Sequence, residues 1–444
     1  MMKQLTIGVL IGLMLVSANS HAEDLLDVYQ TALKNDPQIL AEYASQLAVG
    51  ELEAQSRANF LPALGFNANT KRNWQDTSSS GLGGSLNLGG QRDFNTHGYA
   101  LTITQPLYKK TNTIQKDKAS IAIAQAAANY SLVNQDLVVR VAERYFDVLA
   151  KQDDETFAVA EREAIARQLE QTNQRFEVGI ATITDVTESQ AAYDLAHASV
   201  ISAENEVRNS KERLREPLGQ YVETLASLKD DTELVRPQPE DIDQWSENAL
   251  IQNPAIVVAQ FAVEDAKQTI ELQKSGHYPT LDLVGQHAYD SSSDGSFGGS
   301  KTHQSTLGLQ FNVEFDVGGR VRSQTREAEH RLNQAMQNEE QQRRSVVRQS
   351  REAFNGVMSG ISRVEALKQA VVSNEKALEA TEAGYQVGTR TTVDVLNVRR
   401  DLFRARRDYA SSRYDYILSS LRLKQAAGSI EQADLEQINQ WLSE

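Results

Sequence analysis

The sequence predicts a mainly α-helical chain that carries one transmembrane β-hairpin in each of two repeated halves, with the hairpins of several copies pooled into one barrel. Three observations predict it. A twelve-residue phrase at 175–186 (RFEVGIATITDV) returns at 384–395 (GYQVGTRTTVDV). Long runs around each copy contain neither glycine nor proline, and short segments between them alternate apolar and polar residues. Repetition at this scale marks a duplicated structural unit.

Other pairs mark where the duplication slipped. Asp36-Pro37 and Leu61-Pro62 recur 217 residues later as Asn253-Pro254 and Tyr278-Pro279, whereas Gly179 recurs 209 residues later as Gly388. The length difference therefore falls after Pro62, and the Gly/Ser/Asn-rich tract 77–98, opposite 291–306, is the expected place. Loop tips tolerate such changes because closure entropy grows slowly with length.

The chain opens with Lys3, an apolar run from Leu5 to Val16, and Ser20-His21-Ala22 before Glu23. This reads as an export signal over 1–22, cut after Ala22. An N-terminal anchor is the other reading, but the run is shorter than the ~20 apolar residues that a span needs. No cysteine occurs, so disulfides, thiolate metal sites and a lipidated N-terminal cysteine are excluded. A net charge of −15 argues against nucleic acid as a partner. After Ala22 no stretch qualifies as a transmembrane helix, so membrane entry requires strands closed into a barrel.

The first repeat, 23–216, begins with helical sequence from 24 to 59, broken by Pro37 and Gly50, followed by a hairpin at about 63–107. The run 109–178 then has no Gly or Pro over 70 residues; as one helix it reaches roughly 100 Å at ~1.5 Å per residue. A shorter helix is expected over 180–216. Its residues Val186, Ser189, Tyr193, Ala196, Val200, Ala203, Val207, Ser210 and Leu214 alternate by three and four, a coiled-coil seam. The segment 217–242 is an equatorial connection. The second repeat, 243–427, has its hairpin at about 280–316, a long helix over 320–387 that Gly356, Gly360 and Gly384 are expected to kink or loosen, and a short helix over 389–427 with a matching seam from Val395 to Leu423. A tail, 428–444, completes the chain.

Leu307, Leu309, Phe311, Val313 and Phe315 alternate with polar or small residues, as do Leu64, Phe66, Ala68 and Thr70, and Tyr99, Leu101 and Ile103. The partner of the first set, 281–289, alternates more weakly. Ten-residue segments of this kind are the mark of barrel strands. Soluble hairpins packed on the helices are the alternative; the export signal and acidic body favour the barrel. Four strands cannot close a barrel, which needs about eight. Three copies supply twelve, enough for an aqueous lumen, with the helices continuing below as a tube.

This arrangement, with the Val-Gly-x-x-x-(Thr/Ile)-(Thr/Val)-Asp-Val motif in both halves, resembles the TolC family of outer-membrane channel-tunnel proteins. Gln105-Pro106-Leu107-Tyr108, Phe315-Asp316-Val317-Gly318-Gly319 and 385–397 carry the resemblance as well, which covers the whole mature chain. It implies a homotrimer with a 12-stranded barrel in outer-membrane lipid and a periplasmic α-helical barrel. It also implies a passive exit duct for efflux or type I secretion, with an adaptor and an inner-membrane pump as partners.

The resemblance implies site residues too. Val178, Gly179, Ile180, Val387, Gly388 and Thr389 become adaptor-docking tips. Thr184, Asp185, Tyr385 and Arg390 become a gate whose hydrogen bonds break together on opening. Asp394 becomes a pore-constriction ring, with Asn397 where some relatives have a second aspartate; one carboxylate ring instead of two implies weaker cation selectivity and block. The missing lipidation cysteine leans toward secretion-type members.

No catalytic set stands out, and no cofactor is implied. The run 295–302 approaches a P-loop, but Ser300 replaces a required glycine and no βαβ pattern surrounds it. The seven histidines show no paired ligand spacing, so no metal site is expected. A periplasmic coiled-coil scaffold or a surface interaction protein, without a pore, is the rival function; it has no need of an outward apolar band on all four strands.

Overall fold

The computed structural model describes residues 22–77, 90–230, 232–294 and 298–443. Apart from Ala22, the expected export signal lies outside the described residues, as do residues 78–89 and the first three of the P-loop-like run. The chain starts with three helices where one broken stretch was expected: α1 (Leu25–Asn35), α2 (Pro37–Gly50) and α3 (Leu52–Ala58). Asp36 causes the first break. Its Oδ1 accepts from the N–H groups of Gln38 and Ile39 at 2.8 and 3.0 Å, and Pro37, lacking an N–H, sits where none is needed.

Strands β1 (Ala63–Thr77) and β2 (Gly90–Lys109) follow, then α4 (Lys110–Glu177, 68 residues) and α5 (Ile183–Leu218, 36 residues). The second half repeats the plan. Helices α6 (Ile242–Gln252) and α7 (Pro254–Lys274) precede β3 (Thr280–Ser292) and β4 (Ser300–Asn312), then α8 (Arg320–Gln386, 67 residues) and α9 (Thr392–Ala427, 36 residues). Asn253 caps α7 ahead of Pro254 as Asp36 caps α2, with Oδ1 accepting from Ala255 at 2.9 Å. A short helix, α10 (Gln432–Asn439), ends the fold.

Each long helix packs along its short partner, α4 on α5 and α8 on α9. The predicted seam is buried at Ser189, Ala196, Val200, Val207, Ser210 and Leu214, and again at Val395, Leu402, Ala405, Ser412, Tyr416 and Leu423. The three glycines of α8 do not interrupt it. Gly360 faces α9, and a Cβ there would meet Tyr416 Cα at 3.6 Å, an ordinary contact distance.

The strands form one antiparallel sheet in the order β1-β2-β3-β4. Its register places Leu64 opposite Ile103, Phe66 opposite Leu101, Ile103 opposite Gly285, and Leu283 opposite Leu309. Directly opposed residues share a face. One side therefore carries Leu64, Phe66, Leu101, Ile103, Leu283, Leu307, Leu309 and Phe311, while Asn67, Thr102, Gln286 and Thr306 lie on the other. Phe66 is 70 % and Leu307 77 % exposed.

The strands are longer than the ten residues expected, from 13 in β3 to 20 in β2. Residues 90–98, read as loop, are strand paired with β1 and in part with β3. The β2/β3 register shifts between Pro106 and Tyr108, where proline cannot donate to the ladder. Within one chain β1 and β4 each keep an open edge.

The main core lies midway along the long helices. Leu25, Leu137, Tyr145, Phe146, Leu218, Tyr416, Ile417, Leu421 and Leu435 are fully buried there. Truncating an aromatic such as Phe146 to alanine in a packed core costs about 3–5 kcal/mol. The segment between α5 and α6 is tied to this core by hydroxyls: Tyr145 donates to the Ala226 carbonyl at 2.7 Å, and Tyr416 to the Val235 carbonyl at 2.8 Å. Among the described residues, no helix is long and apolar enough to cross a membrane.

Candidate functional site

The two helix–helix tips far from the sheet are built alike. At the first, the Ile180 N–H donates to the Arg175 carbonyl at 2.8 Å and the Gly179 N–H to that of Phe176 at 2.9 Å. At the second, Thr389 donates to Gly384 at 2.9 Å and Gly388 to Tyr385 at 3.2 Å. These paired bonds satisfy the last carbonyls of a helix and need a left-handed residue between them. Gly179 and Gly388 supply it, at φ +78° and +82°. The turns consume residues expected to be helical, so α5 and α9 begin three residues later than the sequence reading placed them.

Each short helix then starts with a capping box. Thr182 N–H donates to Asp185 Oδ2 at 2.9 Å while Asp185 N–H donates to Thr182 Oγ1 at 3.2 Å. Thr391 and Asp394 repeat this at 2.9 and 3.2 Å. The candidate gate aspartate and the candidate ring aspartate thus occupy the same position in their respective copies. Each carboxyl is held below the ordinary carboxylate range, first by the backbone N–H of its threonine and then by that threonine's hydroxyl. The Thr392 side chain, facing Asp185, adds a smaller lowering, and the charge of Arg390 acts on Asp394.

The candidate gate residues are brought together only in part. Thr392, 1 % exposed, lies between the tips. Its Oγ1 is 3.4 Å from the Tyr385 hydroxyl and its side chain reaches Asp185, so it bridges two gate candidates from opposite coils. The Arg175 guanidinium lies over the Tyr385 ring, 4.7 Å from its centroid. Thr184 and Arg390 are exposed, and among the described residues Arg390 makes no hydrogen bond to Thr184 or Asp185. Asn397 is exposed on α9, three residues after Asp394.

Sequence reasoning missed the roles of Thr392 and Arg175. The Thr-x-x-Asp capping signature was readable at both tips. Nothing local to the sequence pairs Thr392 with Asp185, since that contact depends on how the two coils meet.

The tips carry exposed apolar side chains. Val178, Ile180 and Ile183 protrude at the first and Val387 and Val393 at the second. Gly179, Gly388 and Thr389 are exposed as well.

Comparison with known proteins extends these observations. The family model described as outer membrane efflux protein matches residues 28–220 and 245–429, once in each half. The chain is 36 % identical over 442 residues to the outer membrane protein TolC of Vibrio cholerae, covering 99 % of this chain and 98 % of that protein. It is 28 % identical over 428 residues to the alkaline protease secretion protein AprF of Pseudomonas aeruginosa, covering 96 % and 88 %. The solved structure of the Campylobacter jejuni CmeC outer membrane channel shares the fold at a TM-score of 0.78 and 15 % identity, covering 94 % of this chain and 89 % of that one.

Proposed function

The chain belongs to the outer membrane efflux protein family, and from that premise we infer that it is an outer-membrane exit duct for efflux and type I secretion. It sits in the outer membrane with its helices in the periplasm. Three copies assemble, the β1 edge of one pairing with the β4 edge of the next, and the resulting 12-stranded barrel turns its apolar band to lipid and its polar face to the lumen. The coiled coils continue as a tube, and the matched halves descend from an internal duplication. Residues 1–22 are removed on export, 23–216 and 243–427 are the two repeats, and 217–242 with 428–444 form the equatorial belt.

The tips close the tube. Arg390 reaches Thr184 and Asp185 of a neighbouring coil, Tyr385 holds Asp185 through Thr392, and opening breaks these links together. Asp394 forms the constriction ring, with Asn397 beside it. Val178, Gly179, Ile180, Val387, Gly388 and Thr389 receive a periplasmic adaptor that couples the duct to an inner-membrane pump. The pump supplies the energy and this chain supplies the path.

One observation carries the reading: a continuous apolar face on all four strands of a sheet whose two edges are open. A pore-free scaffold has no use for it. Single-channel recording of the purified protein in planar bilayers tests the reading, with discrete cation-preferring conductance expected; a stable preparation that never conducts rejects the duct.

A further inference from the structure

Near the tips, the two coiled coils of one chain part to leave a cleft of about 860 Å³. Helix α4 lines one wall with Arg167, Gln168, Gln171 and Arg175, and α9 faces it with Arg399 and Arg406. The two α9 arginines are already paired, Arg399 with Glu382 and Arg406 with Glu375. Arg167 and Arg175 have no ion pair among the described residues. Gln168 is 4 % exposed, yet its Nε2 has no hydrogen-bond partner. An unpaired buried donor is costly and calls for an acceptor.

The second repeat shows that this polar wall is not needed to build a coil. The residues 209 positions on from Arg167, Gln168, Gln171 and Arg175 are Lys376, Ala377, Ala380 and Gly384. Alanine and glycine serve in α8 where α4 carries a face of donors at helical spacing. Guanidinium and amide groups donate and, apart from the amide oxygen, do not accept, so the wall matches an oxyanion.

We propose that this cleft binds a small multivalent oxyanion of the phosphate or polycarboxylate class. The bound anion bridges Arg167 and Gln168 of α4 to the α9 arginines and so adds to the direct hydrogen bond from Arg399 to the Ala164 carbonyl, 2.8 Å, that already joins these two helices. Binding stands on the cleft alone; the effect on opening rests on the duct reading above.

Isothermal calorimetry on the detergent-solubilised full chain tests binding, with pyrophosphate as probe against chloride at matched ionic strength. Saturable millimolar binding is expected, about tenfold weaker in Arg167→Gln and in Gln168→Leu. Arg162→Gln, which removes the same charge away from the cleft, should bind as the parent does. Absence of saturable binding, or an equal loss in Arg162→Gln, overturns the site. Binding of hexaglutamate without binding of pyrophosphate overturns the small-anion assignment in favour of a protein carboxylate. In planar bilayers, pyrophosphate should shorten openings of the parent and not of Arg167→Gln; binding without that change removes the bridging role and leaves the site.

Discussion

The two tips share every backbone device and differ in what surrounds it. Both have a left-handed glycine, the same pair of carbonyl caps and the same Thr-x-x-Asp box. Around these, the first tip carries Phe176, Ile180, Ala181 and Ile183, where the second carries Tyr385, Thr389, Arg390 and Thr392. Ile183 is 61 % exposed, whereas its counterpart Thr392 is buried between the coils. The shared parts are those that any helix hairpin needs. The parts that differ give the first tip an exposed apolar surface and the second a more polar one.

The largest effect that tests this contrast is on conductance. Arg390→Ser combined with Tyr385→Phe should raise single-channel conductance severalfold, because it removes a cationic fork and a hydroxyl from the proposed gate. Phe176→Ala, at the position matching Tyr385, should leave conductance unchanged. Equal responses at the two tips would break the division of labour, and no response in the double variant would remove the gate roles from Tyr385 and Arg390.

The shared devices should respond alike. Gly179→Ala and Gly388→Ala each force an L-residue into left-handed geometry, at about 1–2 kcal/mol. A Cβ at either site meets nothing within 4 Å, so the cost is that of the backbone alone. Denaturation of the assembled protein should show the same loss for both. A clearly larger loss at one tip means that its turn is also packed against a neighbouring copy.

The capping aspartates sharpen the contrast further, with a smaller effect. Asp394→Asn should reduce cation preference, and Asp185→Asn should not, since only the first lies in the proposed ring. Asparagine keeps an oxygen that can accept the cap bond, which separates charge from capping in a way alanine does not. Reversal potentials in a salt gradient give the comparison. Equal shifts in both variants would place the selective ring elsewhere.

How far this was readable from sequence depends on the range of each interaction. Periodicity found the seams, since the heptad positions from Ser189 to Leu214 are set by local helix geometry. Alternation found the sheet's apolar face for the same reason. Strand length was underread because residues 90–98 hold two glycines and the strand-depleted Asp93 and Asn95, and pairing with β1, a tertiary effect, overrides that composition. The glycines of α8 lie within one unbroken helical span, because a glycine inside a helix packed along its length against α9 weakens it without ending it. Asp185 and Asp394 were singled out by resemblance to a family, while the chain itself shows both as first-turn caps. Thr392 and Gln168 gave no sequence signal: each matters through a contact, or the lack of one, with another coil.

The smallest expected effect is one of pH. The Asp185 and Asp394 carboxyls lie below their ordinary value because the ionised form accepts the cap bonds. A carboxyl depressed in the folded state stabilises above its unfolded value, about 3.9 for aspartate, and loses that contribution as pH falls through the folded value. Between pH 7 and about pH 5 both therefore stay charged, as unperturbed aspartates would. Conductance and cation preference should be flat across that interval at both tips, and should change only in more acidic solution. A midpoint near pH 6 in the selectivity of the parent, absent from Asp394→Asn, would mean that assembly brings the Asp394 carboxylates close enough to raise one another, and that the ring rather than the cap governs them.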